Sequence, residues 1–281
     1  MKPGHGSQTA VLVCMGRALA HGATSESRFA DPTAFTLLPD DARARVESIR
    51  NGDVPKGLRA RMGHAYLAAQ GKVMVARTVA IDDAVRSAAA PQLAILGAGL
   101  DGRAWRMPEL SEVTVFEVDH PDSQRDKLAR TAALTKVARE IRFVPVDFTR
   151  DDLNQALASA GHDPARATTW IWEGVVMYLT QAAIEATLAV IERRSARGSR
   201  LIVLYHSPAL KRLLISLIVR RLGEPFRSYA TAGEMRVLLA QYGFTVIRDE
   251  NLPEIGRTMS AEIARATRTL NHMRIVTADR E

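Results

Sequence analysis

The chain has 281 residues, 47% hydrophobic and 25% charged, with one cysteine and a formal net charge of +7. That length can bury a sizeable core, and a lone Cys14 excludes an internal disulfide or a multi-cysteine zinc site. No apolar run is long enough to span a bilayer, and Met1-Lys-Pro-Gly-His-Gly-Ser-Gln8 lacks the features of a signal peptide, which predicts a soluble, cytoplasmic protein without stable membrane insertion. Arginine is scattered rather than clustered, so the positive charge predicts solubility and a bias toward an anionic small molecule, not nucleic acid.

Residues 1–90 read as mostly helical. Thr9 to His21 is an apolar segment that fits a helix, with Cys14 as a buried apolar residue in it. Asp31 to Pro39 carries turn chemistry and a short helix, and Lys56 to Ala90 holds one or two more helices. From residue 91 the pattern alternates. Strands are predicted over 92–97, 113–119, 141–147, 168–174, 200–206, 244–250 and 272–278. Helices are predicted over 121–138, 150–160, 180–196, 208–222, 231–242 and near 258–269. Such alternation argues for an α/β fold with a doubly wound, Rossmann-like, mostly parallel sheet. A reversed strand at the end is compatible with it. The expected division is a helical N-terminal cap over 1–90 and a ligand-binding core over 91–281 with a helical insertion near 208–230. The cap would cover the carboxyl edge of the strands.

Leu93-Ala-Ile-Leu-Gly-Ala-Gly-Leu-Asp101 and Val113-Thr-Val-Phe-Glu-Val-Asp119 carry the first functional signal. An apolar run suits a strand buried on both faces. Gly97 and Gly99 permit a sharp turn and let a ligand approach the backbone. Asp119 follows at about 20 residues, where a strand-end carboxylate can accept both ribose hydroxyls of a nucleoside cofactor. The spacing Gly97-x-Gly99-x-x-Gly102 also matches a dinucleotide fingerprint, so a nicotinamide-dependent oxidoreductase stays open on these residues alone.

Six segments then occur in order. Arg77-Thr78 precedes Asp82-Asp83; next come Leu96-Gly-Ala-Gly-Leu-Asp-Gly-Arg-Ala-Trp-Arg106, Val115-Phe-Glu-Val-Asp-His-Pro121, Phe143-Val-Pro-Val-Asp-Phe148, Trp172-Glu-Gly-Val-Val-Met-Tyr-Leu179 and Gly223-Glu-Pro-Phe226. Together they resemble the leucine carboxyl methyltransferase-like family of class I S-adenosylmethionine (SAM) enzymes, whose motifs read RTxxxDD, LGAGLDTRxxR, FEVDxP, VxxDL, xEGxxxYL and GEPF. The resemblance implies SAM as cofactor and a role for each matched residue. Arg77 would pair with the methionine carboxylate, for which a guanidinium fork is suited. Gly97 and Gly99 would pass close to the cofactor, and Asp119 would hold the ribose. Asp147 would accept from the adenine amino group, with the Phe148 backbone N–H toward the ring. Glu173 would complement the methionine ammonium. Two departures are Gly102 and Phe148, where the family has Thr and Leu. A third is Gln8 in Ser7-Gln8-Thr9-Ala10, which stands where a family SRTA element has a basic residue; Arg17 is a substitute to consider.

The family includes enzymes that methylate a protein C-terminal leucine and enzymes that methylate polyketide carboxylates. The implied activity is O-methylation of a carboxylate or hydroxyl on a small or medium-sized metabolite, polyketide-like or lipid-like, with an apolar or anionic acceptor. A carboxylate needs no base, whereas a hydroxyl is helped by one. His206, in Leu204-Tyr-His-Ser207, and Tyr178 are the candidate catalytic residues. The histidines show no HxxxH spacing, which disfavours a metal site. Leu210 to Leu222 is apolar with basic ends and reads as a wall of an apolar acceptor pocket in preference to a membrane-surface helix. The competing readings are an NAD(P)-dependent oxidoreductase and a non-catalytic SAM-binding protein. Against the first, a nicotinamide site does not call for Asp147 and Glu173.

Overall fold

The computed structural model describes residues 7–148, 150–208 and 226–281. The expected helix over 208–222 falls outside these residues except for Pro208, as does the GEPF segment except for Phe226. Four helices open the chain: α1 (Gln8–Ala20), α2 (Ala34–Leu37), α3 (Asp40–Arg50) and α4 (Leu58–Ala88). Helix α4 has 31 residues, which makes it about 46 Å long at 1.5 Å per residue. Its first half is largely exposed. Its second half buries Val73, Val75, Val79 and Ile81 against the sheet.

The core follows with β1 (Gln92–Leu96), α5 (Arg103–Arg106), β2 (Thr114–Asp119), α6 (Pro121–Thr131), β3 (Glu140–Pro145), α7 (Leu153–Ser159), β4 (Thr168–Trp172), α8 (Gln181–Arg193) and β5 (Arg200–His206). Then come α9 (Ala232–Gln241), β6 (Thr245–Asn251), α10 (Leu252–Arg257), α11 (Ala261–Thr267) and β7 (Met273–Asp279). The strands form a seven-stranded sheet in the order β3-β2-β1-β4-β5-β7-β6. Strand β7 runs antiparallel to both β5 and β6, and the remaining pairings are parallel. The sheet is thus the doubly wound, mostly parallel one expected, with the last strand reversed.

Burial explains the strand patterns. Strand β1 is buried at every position, and its side chains alternate between faces. Leu93 and Ile95 join α4, α10 and α11 in one apolar layer; Ala94 and Leu96 join α7 and α8 in the other. Helices α1, α2 and α3 pack around Cys14, Met15, Leu37 and Val46 in a third cluster. The thiol of Cys14 donates to the Ala34 carbonyl at 3.2 Å, and burial pushes its pKa up to about 12, so it is an inert packing residue.

This topology fixes where a ligand can sit. From β1 the chain winds outward through β2 and β3, then returns to the other side of β1 as β4. The crevice at the carboxyl ends of β1 and β4 is the switch point at which open α/β sheets bind ligands. Gly97 follows β1 there, and Glu173 follows β4.

Candidate functional site

A cavity of about 480 Å³ opens at this switch point, within the usual range for small-molecule sites. Arg77, Gly97, Gly99, Asp119, Asp147, Phe148, Glu173 and Tyr178 all line it, so eight of the nine residues singled out from the sequence come together. His206 is not among the lining residues. It is 7% exposed, and its ring packs edge-on against Phe226 at 4.9 Å and His272 at 5.4 Å. Burial, with further contributions from His272 and Arg77, pushes its pKa down to about 3. Its imidazole is uncharged at neutral pH and a poor proton acceptor there.

The glycine turn is shaped by close approach. Gly97 sits at φ +71°, and a Cβ on it would lie 2.2 Å from Cγ2 of Val175. Gly99, at φ +49°, would bring a Cβ within 2.9 Å of Ala10 on α1. Both positions therefore require glycine on two grounds, conformation and space. The turn is tied to β2 through Asp119. One carboxylate oxygen accepts from the Gly99 N–H at 2.5 Å and the other from the His120 N–H at 2.7 Å. Burial raises the Asp119 pKa, and these two backbone bonds oppose the rise. A carboxylate has about four lone-pair sites, so acceptor capacity remains for a ligand diol.

Behind the turn lies a buried lattice of charge. Arg77 Nη2 donates to Glu173 at 2.8 Å. Arg103 bonds Asp82 at 2.7 Å, pairs with Asp101, and reaches Glu173 at 3.3 Å. Arg106 bonds Asp82 at 2.7 Å, and Arg17 bonds Asp31 at 2.8 Å and the Leu100 carbonyl at 2.5 Å. Burial would raise the Glu173 pKa, but Arg77 and Arg103 outweigh it and hold it below the usual range. Asp101, for which burial is again outweighed, by Arg103, Lys127 and Arg17, lies down at about 2. Both are carboxylates at neutral pH. Arg77 and Glu173, which the family resemblance assigns to opposite ends of an amino-acid group, are thus bound to each other here. The Arg77 Nε remains buried without a partner among the described residues.

Asp147 and Phe148 also have a clear arrangement. The backbone N–H of Asp147 donates to Asp151 at 2.8 Å. Helix α7 is capped by the side chain of Asp152, which accepts from Gln155 N–H at 3.1 Å, so Asp147 is not the cap of that helix. Phe148 and Val146 add apolar wall beside it. On the opposite side α1 presents Thr9, Val13 and Arg17 to the cavity, one helical turn apart.

Several lining or supporting residues had no assigned role from sequence. Asp82, Asp101, Arg103 and Arg106 belonged to recognised motifs, and their opposite charges were the available signal. Thr9 lines the cavity from the SRTA-like segment, and Arg227 from the position after the GEPF segment, but neither had a role assigned to it. Lys127 and Glu117, each with a side chain 1% exposed and paired at 2.6 Å, pin α6 to β2 beneath Asp119. The departure at Gly102 has a local explanation. A Cβ there would fall 2.0 Å from the Thr33 hydroxyl, which itself donates to Asp31 at 2.7 Å. In this chain Thr33 fills the space that a side chain at 102 would take.

The donor and acceptor set fits SAM. An ionised carboxylate beside a guanidinium with an unpartnered buried Nε suits a zwitterionic amino-acid group; a strand-end carboxylate suits a ribose diol; a glycine turn leaves room for the chain between them. Among the described residues no helix is long and apolar enough to cross a membrane, and no group of three or more His, Cys, Asp or Glu side chains could hold a metal ion.

A family model described as leucine carboxyl methyltransferase matches residues 10–192. A protein of Mycobacterium sp. (strain JLS) named "Putative S-adenosyl-L-methionine-dependent methyltransferase" is 35% identical over 222 residues, 79% of this chain and 72% of its own length. A protein of Streptomyces coelicolor with the same designation is 35% identical over 208 residues, 69% of this chain and 66% of its own. In fold, the chain is similar to a crystal structure of a duf574 family protein from Streptomyces avermitilis, with a TM-score of 0.59, 14% identity, and 95% and 97% of the two chains covered.

Proposed function

This chain belongs to the leucine carboxyl methyltransferase family and is a SAM-dependent methyltransferase; from that premise we propose that it methylates an oxygen, above all a carboxylate, of a small or medium-sized metabolite. When bound, SAM supplies an electrophilic methyl group on a sulfonium. The protein's part is alignment and exclusion of water. Arg77 and Glu173 would hold the amino-acid end of the cofactor, Asp119 the ribose, and Asp147 with Phe148 the adenine. Tyr178 would contact the acceptor.

The observation that carries the reading is the placement of His206. It is buried against Phe226 and His272 and does not line the cavity, and its pKa of about 3 makes it too weak a base to help remove a hydroxyl proton at neutral pH. A carboxylate acceptor, already ionised, requires no such help.

Calorimetry tests the cofactor half. The protein should bind S-adenosylhomocysteine at micromolar concentration and NADPH far more weakly; binding of NADPH alone would revive the oxidoreductase. Asp119→Asn keeps the side-chain size and one carbonyl oxygen, and should weaken S-adenosylhomocysteine by at least about tenfold, the range of a lost charge-assisted hydrogen bond. Unchanged affinity would put the ribose elsewhere. Labelled SAM offered with a panel of carboxylic acids and phenols tests the acceptor half. Base-labile methyl esters are expected, and turnover confined to phenols would overturn it.

A further inference from the structure

Three arginines line the cavity: Arg17, Arg77 and Arg227. The first two are neutralised by protein carboxylates, Asp31 and Glu173. The guanidinium of Arg227 pairs with no carboxylate among the described residues, and the residue is exposed at the rim.

Its position is nonetheless fixed. The N–H of Arg227 donates to the Met177 carbonyl at 2.7 Å, and the Ser228 hydroxyl donates to the Val176 carbonyl at 2.7 Å. The N–H of Ala230 donates to the His206 carbonyl at 3.1 Å. On the other side of Arg227, the Phe226 ring packs against Tyr178 at 5.5 Å and His206 at 4.9 Å. Residues 226–230 thus strap Arg227 to the short 3-10 turn Val176–Tyr178, and Tyr178 and Arg227 face one space.

Resting on the O-methyltransferase reading, we infer that Arg227 binds an anionic group of the acceptor that is not the oxygen being methylated. A guanidinium offers a carboxylate two parallel N–H donors. The same pairing withdraws electron density from that carboxylate, so an anion held by Arg227 is a poor nucleophile. It is an anchor, and the reacting oxygen lies deeper in the cavity. Between the two ends Tyr178, Val175 and Val13 offer mostly apolar wall. The acceptor class that fits is an apolar stem with an anion at one end and the methylated oxygen at the other, as in a long-chain dicarboxylate.

The product-like probe monomethyl sebacate and its neutral analogue dimethyl sebacate separate the outcomes. Titrated into protein saturated with S-adenosylhomocysteine, the monoester should bind at least about fivefold tighter, the scale of a partly exposed charge-assisted contact. Arg227→Gln should abolish the preference and Arg227→Lys should keep part of it, with S-adenosylhomocysteine affinity unchanged in both. A preference that survives Arg227→Gln, or no binding of either ester by the wild type, overturns the inference. So does a loss of S-adenosylhomocysteine affinity in Arg227→Gln, which would make Arg227 a cofactor residue. Failure of the wild-type protein to bind S-adenosylhomocysteine would instead sink the methyltransferase reading beneath it. With labelled SAM, methylation of decanoate by the wild type that disappears in Arg227→Gln would show Arg227 holding the reacting carboxylate, and would also overturn the inference.

Discussion

At one end of the cavity Arg17, Arg77, Arg103 and Arg106 are tied to Asp31, Asp82, Asp101 and Glu173 across five separate segments of chain. At the other end Tyr178 and Arg227 are held by ring contacts and a few backbone hydrogen bonds. A charge lattice that is buried and mutually satisfied has one workable arrangement, since each member depends on the others. An aromatic strap with an exposed arginine tolerates other side chains in the same backbone path. The charged lattice is therefore constrained as a unit, while the Tyr178–Arg227 side can be retuned residue by residue.

Glu173→Gln strikes the lattice hardest. It leaves Arg77 without its carboxylate and removes one of Arg103's three carboxylate partners in a buried site, and removing one partner of a buried pair costs about 3 kcal/mol or more. Chemical denaturation should show that loss together with sharply weakened S-adenosylhomocysteine binding. A fully stable variant would mean that the lattice is not the constraint inferred here.

A smaller effect is expected at the packing around the glycine turn. Gly102→Thr puts a Cβ into the Thr33 hydroxyl and should cost about 1–3 kcal/mol by overpacking. Adding Thr33→Ala should recover part of that cost, so the double variant is more stable than the sum of the singles predicts, by about 1 kcal/mol. Strict additivity would show that Thr33 does not occupy the position of the missing side chain.

The acid titration of stability is the mildest test, and it contrasts the histidines with the carboxylate lattice. Burial lowers the pKa of His162 to about 4, with Arg194 adding to the shift, and that of His206 to about 3. Both rings stay neutral in the folded protein while an unfolded histidine takes a proton near pH 6.5. At these two rings the unfolded chain binds more protons, so their contribution falls as pH drops from about 6.5 toward 4, while Glu117, whose carboxyl burial pushes up to about 7, contributes with the opposite sign over the same range. Glu173 and Asp101 have folded pKa values below the usual ones, so their contribution is intact above about pH 4 and is lost only below it. The melting temperature should fall below about pH 4, and its slope in the upper stage, from about pH 6.5 to 4, should reflect the balance of the histidines against Glu117. In His162→Gln the upper stage should be shallower, and an unchanged slope would remove His162 from the account.

The strands were legible because each is a short apolar run bounded by turn chemistry. The observed boundaries of β1, β2 and β5 lie within a residue of those expected. Helix α3 was not among the helices expected, and its burial shows why. Only Ala42 and Val46 face the core, too narrow a stripe in a highly charged segment to produce a helical period. That Gly97, Gly99, Asp119, Asp147 and Glu173 come to one cavity was legible because motif and strand end coincide. The lattice was not, because Asp31, Asp82, Arg103 and Glu173 meet only after the cap has folded onto the sheet, and no spacing along the chain encodes that meeting. His206 does end β5 as expected, but its ring is buried against Phe226 and His272 and does not line the cavity.

Helix α4 gives this last point a wider consequence. It carries Arg77 and Asp82 to the sheet, and those two side chains neutralise Glu173, Arg103 and Arg106. To the sheet, the helix is a counter-ion. A chain begun at residue 91 would keep every strand yet leave Arg106 without a carboxylate partner and Glu173 without Arg77. A cut drawn between secondary-structure elements would leave both fragments ionically incomplete, and the cap and core are better regarded as two halves of one salt.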